Sequence, residues 1–157
     1  MDAKIGISEG HRQSVAKDLA KILADEYVLY TKTLNAHWNV EGADFYEKHK
    51  LFESQAEQLS ETIDSVAERI RSLGHHAKGS LKSFLTLTHL TEDNHSKNDS
   101  QSYIKELLSD HESIIVYLRE KIGIFAEEYK DLGSSDFITG LMAGHEKTAW
   151  FLRSHLK

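Results

Sequence analysis

The segment LNAHWNVEGADFYEKHKLFE, residues 34–53, ends one helical pattern, breaks at NVEGAD and opens another, with His37 and His49 on either side of the break. Trp38 follows the first histidine, and Glu53 stands four residues beyond the second. Upstream, Val15, Leu19, Ile22, Leu23, Glu26, Leu29, Thr33 and Leu34 recur at close to helical spacing. They predict a helix from Ser8, a suitable N-cap, to about His37. Downstream, Phe45, Phe52, Ala56, Leu59, Ile63, Val66, Ile70 and Leu73 predict a longer helix that stops at Gly74, a C′ glycine.

The rest of the chain repeats this helical habit around one long interruption. Residues 75–98 read as a connection that holds a short helix within LKSFLTLTHL. A third long helix is expected from about Asp99 to Tyr129, carrying Ile104, Leu107, Leu108, His111, Ile114, Ile115, Leu118, Ile122 and Phe125. After KDLGSS, a fourth carries Phe137, Ile138, Leu141, Met142, His145, Ala149 and Leu152. Short first and last links with one long crossover predict an all-α, ferritin-like four-helix bundle with a short extra helix in the long connection.

Composition agrees with this and narrows the chemistry. Residues 1–157 suit a single domain with a core of its own. The absence of proline removes the strongest helix breaker. The absence of cysteine excludes disulfides, thiolate metal sites and cysteine nucleophiles, and makes the cytoplasm the expected compartment. No apolar leader or membrane-spanning run is read, so no membrane is expected as a partner. A net charge of −6 favours cations over phosphates as guests. No GxxxxGK loop or GxSxG elbow is present, which leaves nucleotide and acyl-transfer chemistry without support.

Metal chemistry remains, on His37, His49, Glu53, Asp64 and Glu68. These nitrogen and oxygen donors suit iron or manganese, with zinc as a further option. Four of them fall on the second helix, and with His49 at zero, Glu53 lies near 40°, Asp64 near 60° and Glu68 near 100°. They share one face. Glu53 and Asp64 are nevertheless separated by about 16 Å along the axis, too far for one metal centre. The pairs 53/64 and 49/68 have a common midpoint between residues 58 and 59. Two such helices, antiparallel about a two-fold axis at that point, would bring the first pair of one chain level with the second pair of its mate. The expectation is a site shared between subunits, with His37, His49 and Glu53 from one and Asp64 and Glu68 from the other. Taken alone, the same stripe reads equally as a solvated charged face with i, i+4 pairs. On their own, His37 and Trp38 read first as a packing pair at a helix end, and His111 and His145, on apolar faces, as satisfied core or interface groups.

The motifs AHWNVEG, HKLFE, DSVAERIRSLG and HEKTAWFLRSHL resemble those of the Dps family, the ferritin-like mini-ferritins, over nearly the whole chain. The resemblance implies a hollow homododecamer with ferroxidase centres at its two-fold interfaces, built by the same five residues in the same division. It implies oxidation of Fe²⁺, typically by hydrogen peroxide, and storage of Fe³⁺ mineral in the cavity, which protects against oxidative damage. Iron, as Fe²⁺/Fe³⁺, is then both the bound metal and the cargo. Trp38 resembles the family aromatic that intercepts stray oxidising equivalents. Glu127, Asp131 and Asp136 resemble the acidic lining of an iron-entry pore, and read equally as solvated helix-end charges.

Two other functions stand beside this one. DNA binding, with association with the nucleoid, is the alternative in the same family, but it usually depends on Lys- or Arg-rich tails. Here only Lys4 precedes Ser8, and the sequence given closes on RSHLK. Twelve weak tails acting together would still bind by multivalency. A helical dimerisation module without metal is the third reading.

Overall fold

A computed structural model describes residues 3–92 and 97–156; Glu92 is described, whereas His95, its partner in the one Glu-x-x-His spacing of the chain, lies outside the described residues. The described residues form helices α1 (Glu9–Asn39), α2 (Phe45–Ser72), α3 (Leu81–Leu87), α4 (Ser100–Gly123) and α5 (Leu132–Ser154), with a π-helical turn, Ile124–Glu128, extending α4. This is the all-α, ferritin-like bundle with one long crossover that the apolar spacing predicts. The helices α1 and α2 pack along each other, as do α4 and α5, and α2 and α5 scarcely touch. The buried apolar residues of all four long helices, with Phe84 of α3, join in one core cluster.

Local chemistry sets most of the boundaries. Ser8, extended at φ −61° and ψ 150°, accepts from the His11 backbone N–H at 3.3 Å and starts α1. At the end of α2, Gly74 takes φ +90°; its N–H donates to the Arg71 carbonyl at 2.9 Å and the His75 N–H to the Ile70 carbonyl at 3.3 Å. This Schellman pair satisfies the last carbonyls at a backbone angle that favours glycine.

The crossover is fastened to α1 by one buried carboxylate. Asp25 accepts from Thr88 Oγ1 at 2.7 Å and the His89 N–H at 2.9 Å, and its second oxygen meets His89 Nδ1 at 2.7 Å. Tyr27 stacks on Phe84 with ring centres 4.4 Å apart, which seats α3 on α1. The α1–α2 corner is tied to the start of α4, where the Glu41 N–H donates to the Asn98 carbonyl at 2.9 Å and Ser100 Oγ to Asp44 Oδ2 at 2.7 Å.

Three boundaries differ from expectation. The first helix runs on to Asn39, because Val40 N–H still reaches the Ala36 carbonyl at 3.0 Å. The third changes register before Tyr129, whose N–H donates to the Ile124 carbonyl at 3.0 Å, five residues back. The fourth begins at Leu132, inside the stretch read as a link, because Asp131 caps it. Asp131 Oδ1 accepts from the Ser134 N–H at 2.9 Å and faces Arg69 of α2 at 3.3 Å. A side chain and its tertiary partner start this helix one turn before the apolar periodicity does.

Candidate metal centre

His37 lies in the last turn of α1 and His49 in the second turn of α2, on opposite sides of the corner. Their contact is reciprocal. His37 Nδ1 stands 2.9 Å from the His49 carbonyl, and His49 Nδ1 stands 2.8 Å from the His37 carbonyl. A carbonyl can only accept, so each Nδ1 is the donor, and a neutral ring then presents Nε2 as a free lone pair. The rings stack with centres 4.0 Å apart. The corner also explains why His37 has a carbonyl to offer, since it belongs to a helix end whose last C=O groups have no intrahelical partner. Each histidine is thus oriented by backbone, in the way a hydrogen bond from the other ring nitrogen orients a metal-ligating imidazole.

Glu53, one turn further along α2, is paired with Lys50 at 2.6 Å. The Lys50 ammonium, with smaller contributions from His37 and His49, holds the Glu53 carboxyl below the usual range for a glutamate. Sequence reading missed Lys50, although its i, i+3 spacing from Glu53 was the available signal. Asp64 and Glu68 are exposed on α2 and have no hydrogen bond or ion pair among the described residues. The structure therefore brings His37, His49 and Glu53 near one another and leaves the other two carboxylates apart. Among the described residues, no three His, Asp or Glu side chains of one chain converge on a common point for a metal.

The surroundings are aromatic and open to solvent. Trp38 is 66% exposed, and Phe45 and Tyr46 at the start of α2 are exposed as well. The Phe45 ring lies 5.2 Å from His49. Exposed aromatic groups flanking an incomplete donor set mark a surface suited to cover by protein.

The three acidic residues compared with a pore separate. Glu127, on the π-helical turn, and Asp136, on α5, are exposed, whereas Asp131 is 2% exposed and engaged as the α5 cap and Arg69 partner. Its carboxylate is committed locally.

A four-helix bundle with one long crossover, carrying an oriented pair of histidines and outward carboxylates, is a ferritin-like architecture, and comparison with known proteins agrees. The ferritin-like domain family matches residues 16–157. A low temperature-induced protein of Nostoc sp. is 40% identical over 98% of this chain and 86% of its own length. The DNA protection during starvation protein of Helicobacter pylori is 33% identical over 88% of this chain and 95% of its own. The crystal structure of the Dps protein of Vibrio cholerae, described as a member of a broad superfamily of ferritin-like diiron-carboxylate proteins, superposes with a TM-score of 0.93 at 29% identity, over 100% of this chain and 99% of that one. The chain belongs to the Dps family of ferritin-like proteins.

Proposed function

We propose that this protein is a ferroxidase and iron-storage subunit that assembles into a homododecameric cage and protects against oxidative damage. Its centre is shared across a two-fold interface: His37, His49 and Glu53 from one subunit, Asp64 and Glu68 from its mate. The observation that carries the reading is the reciprocal lock of the two imidazoles, which occupies both Nδ1 atoms and leaves both Nε2 lone pairs free, while the nearest carboxylate remains on the surface. The common midpoint of the pairs 53/64 and 49/68 supplies the geometry of completion.

The chemistry follows from the donors. Two imidazoles accept Fe²⁺, and hard carboxylates stabilise Fe³⁺ more than Fe²⁺, so their arrival from the second subunit favours loss of an electron. Two Fe²⁺, one H₂O₂ and two protons yield two Fe³⁺ and two H₂O. Delivery of both electrons to one peroxide avoids release of hydroxyl radical. Lys50 holds Glu53 until a cation displaces it. Trp38, adjacent to His37 and exposed, is the oxidisable ring beside the centre. Glu127 and Asp136 provide the negative charge that draws cations toward the cage, with Asp131 holding the α5 start between them.

Stopped-flow oxidation of Fe²⁺ by hydrogen peroxide tests the assignment. Asp64→Ala combined with Glu68→Ala should slow the reaction at least tenfold while sedimentation shows the assembly intact, the order expected when metal-site partners are lost. An unchanged rate in an intact assembly would sink it.

A further inference from the structure

A second polar cluster lies inside the bundle, away from the corner. Each long helix contributes one buried residue: Glu26 of α1, Gln55 of α2, His111 of α4 and His145 of α5. His145 Nε2 meets Glu26 Oε1 at 2.8 Å, and His145 Nδ1 meets His111 Nδ1 at 2.8 Å. With Glu26 ionised the carboxylate can only accept, so the proton sits on His145 Nε2, and His145 Nδ1 accepts from His111. The relay ends at His111 Nε2, a lone pair. That nitrogen has no protein hydrogen-bond partner, and neither do Gln55 Oε1 and Glu26 Oε2.

His111 and Gln55 both line a cavity of about 130 Å³ between α2 and α5. Gly140 and Gly144 border it, and a Cβ added at either would meet no atom within 4 Å, so the wall on that side is open. None of His37, His49, Glu53, Asp64 or Glu68 lines it. The unpartnered atoms are all acceptors. Glu26, 0% exposed, receives among the described residues one hydrogen bond, from the neutral His145, which leaves its charge without a counter-ion. A buried carboxylate backing a set of unpaired acceptors favours a cation over a neutral guest. Burial, reinforced by His145, holds the His111 imidazole well below its ordinary value, which keeps the lone pair available at neutral pH.

We infer that this cavity is a second metal site, contained within one chain, that takes a transition-metal dication such as Zn²⁺ or Fe²⁺ on His111 Nε2 and Gln55 Oε1. Water completes the coordination. Glu26 and His145 are positioning residues that fix the tautomer of His111, as carboxylate partners do for metal-bound imidazoles. An imidazole nitrogen with an amide oxygen selects such a metal over Mg²⁺ or Ca²⁺. With no charged group as direct donor, the site binds more weakly than the interfacial one and fills after it.

Crystals of the assembled protein soaked in Zn²⁺ and measured on both sides of the zinc absorption edge test this on the unaltered chain. An anomalous peak about 2.0–2.2 Å from His111 Nε2 is expected. A cavity holding water alone, or zinc only elsewhere, overturns the inference. Equilibrium dialysis against Zn²⁺ supplies the second readout. Asp64→Ala combined with Glu68→Ala should retain one equivalent per chain that Gln55→Leu weakens at least tenfold. Gly144→Leu, which places a side chain in the open side and removes no donor, should abolish it. Retention of that equivalent at wild-type affinity in both variants overturns the site. Zinc at His111 with none beside His37 and His49 would uphold this site and sink the function proposed above.

Discussion

Two imidazoles that spend Nδ1 on each other's backbone carbonyl, and a third that ends a buried relay, show how hydrogen bonds decide what a histidine can do. The same logic sets the pH response of the core. Burial lowers the affinity of His111 for a proton in the folded chain, whereas an unfolded histidine titrates near 6.5. Below that value the unfolded state binds more protons, so stability is lost as pH falls, by up to about 1.4 kcal/mol per pH unit for one such group. In metal-free protein the melting temperature should therefore fall between pH 7 and pH 5, and His111→Gln should flatten the slope. An identical slope in the two proteins would show that His111 is not the titrating group. Asp131 makes a separate prediction: Asp131→Ala removes the α5 cap and the Arg69 partner, and should cost about 1–2 kcal/mol in heat or denaturant melts. Residue type, spacing and neighbouring carboxylates select His37 and His49 in the sequence, and the fold stacks their rings 4.0 Å apart. These sequence signals could not reveal that Asp131 is a buried cap, because an acidic residue at a helix start and one at a pore mouth look the same in sequence.

Helix α2 carries three jobs on three faces: an apolar stripe for the core, a polar stripe with His49, Glu53, Asp64 and Glu68, and Gln55 at the cavity toward α5. Its period was readable because burial at 52, 56, 59, 66 and 70 follows the helical repeat. The proposed antiparallel pairing makes a prediction on this element. Ser60 and Glu57, both exposed, fall near 20° and 80° on the same scale as the polar stripe, and the proposed midpoint between 58 and 59 would set Ser60 against Glu57 of the partner subunit. Ser60→Glu would place like charges together twice by symmetry and should shift sedimentation toward smaller species. Ser60→Lys, with opposite charges apposed, should leave assembly unchanged. Equal behaviour of the two variants would rule out this register. The boundaries that sequence misplaced were those set by tertiary partners: Arg69 against the α5 cap, and the π-helical turn whose Tyr129 N–H reaches back to Ile124.

The whole molecule is a bundle whose proposed donors for iron lie at its surface, so the proposed chemistry depends on assembly. Among the described residues no helix is long and apolar enough to cross a membrane. The net charge of −6 opposes the electrostatic attraction that nucleic-acid binding requires. In gel shifts at low and rising salt, the assembled protein should leave duplex DNA unretarded; a complex that dissolves steeply with salt would instead support the DNA-binding alternative. The sequence by itself determined the helical class, the single crossover and the face of α2 on which the polar stripe lies. Periodicity, an absence of proline and short capped links are local properties, and they survive without any knowledge of what packs against what. Only the tertiary structure decided how each histidine is used. His37 and His49 meet across a corner, and Glu26, Gln55, His111 and His145 come from four helices. Which nitrogen keeps its lone pair depends on partners that are distant in the chain and within 3 Å in space. The opening stretch therefore showed where the candidate ligands are, and the fold showed which of their atoms are free to bind.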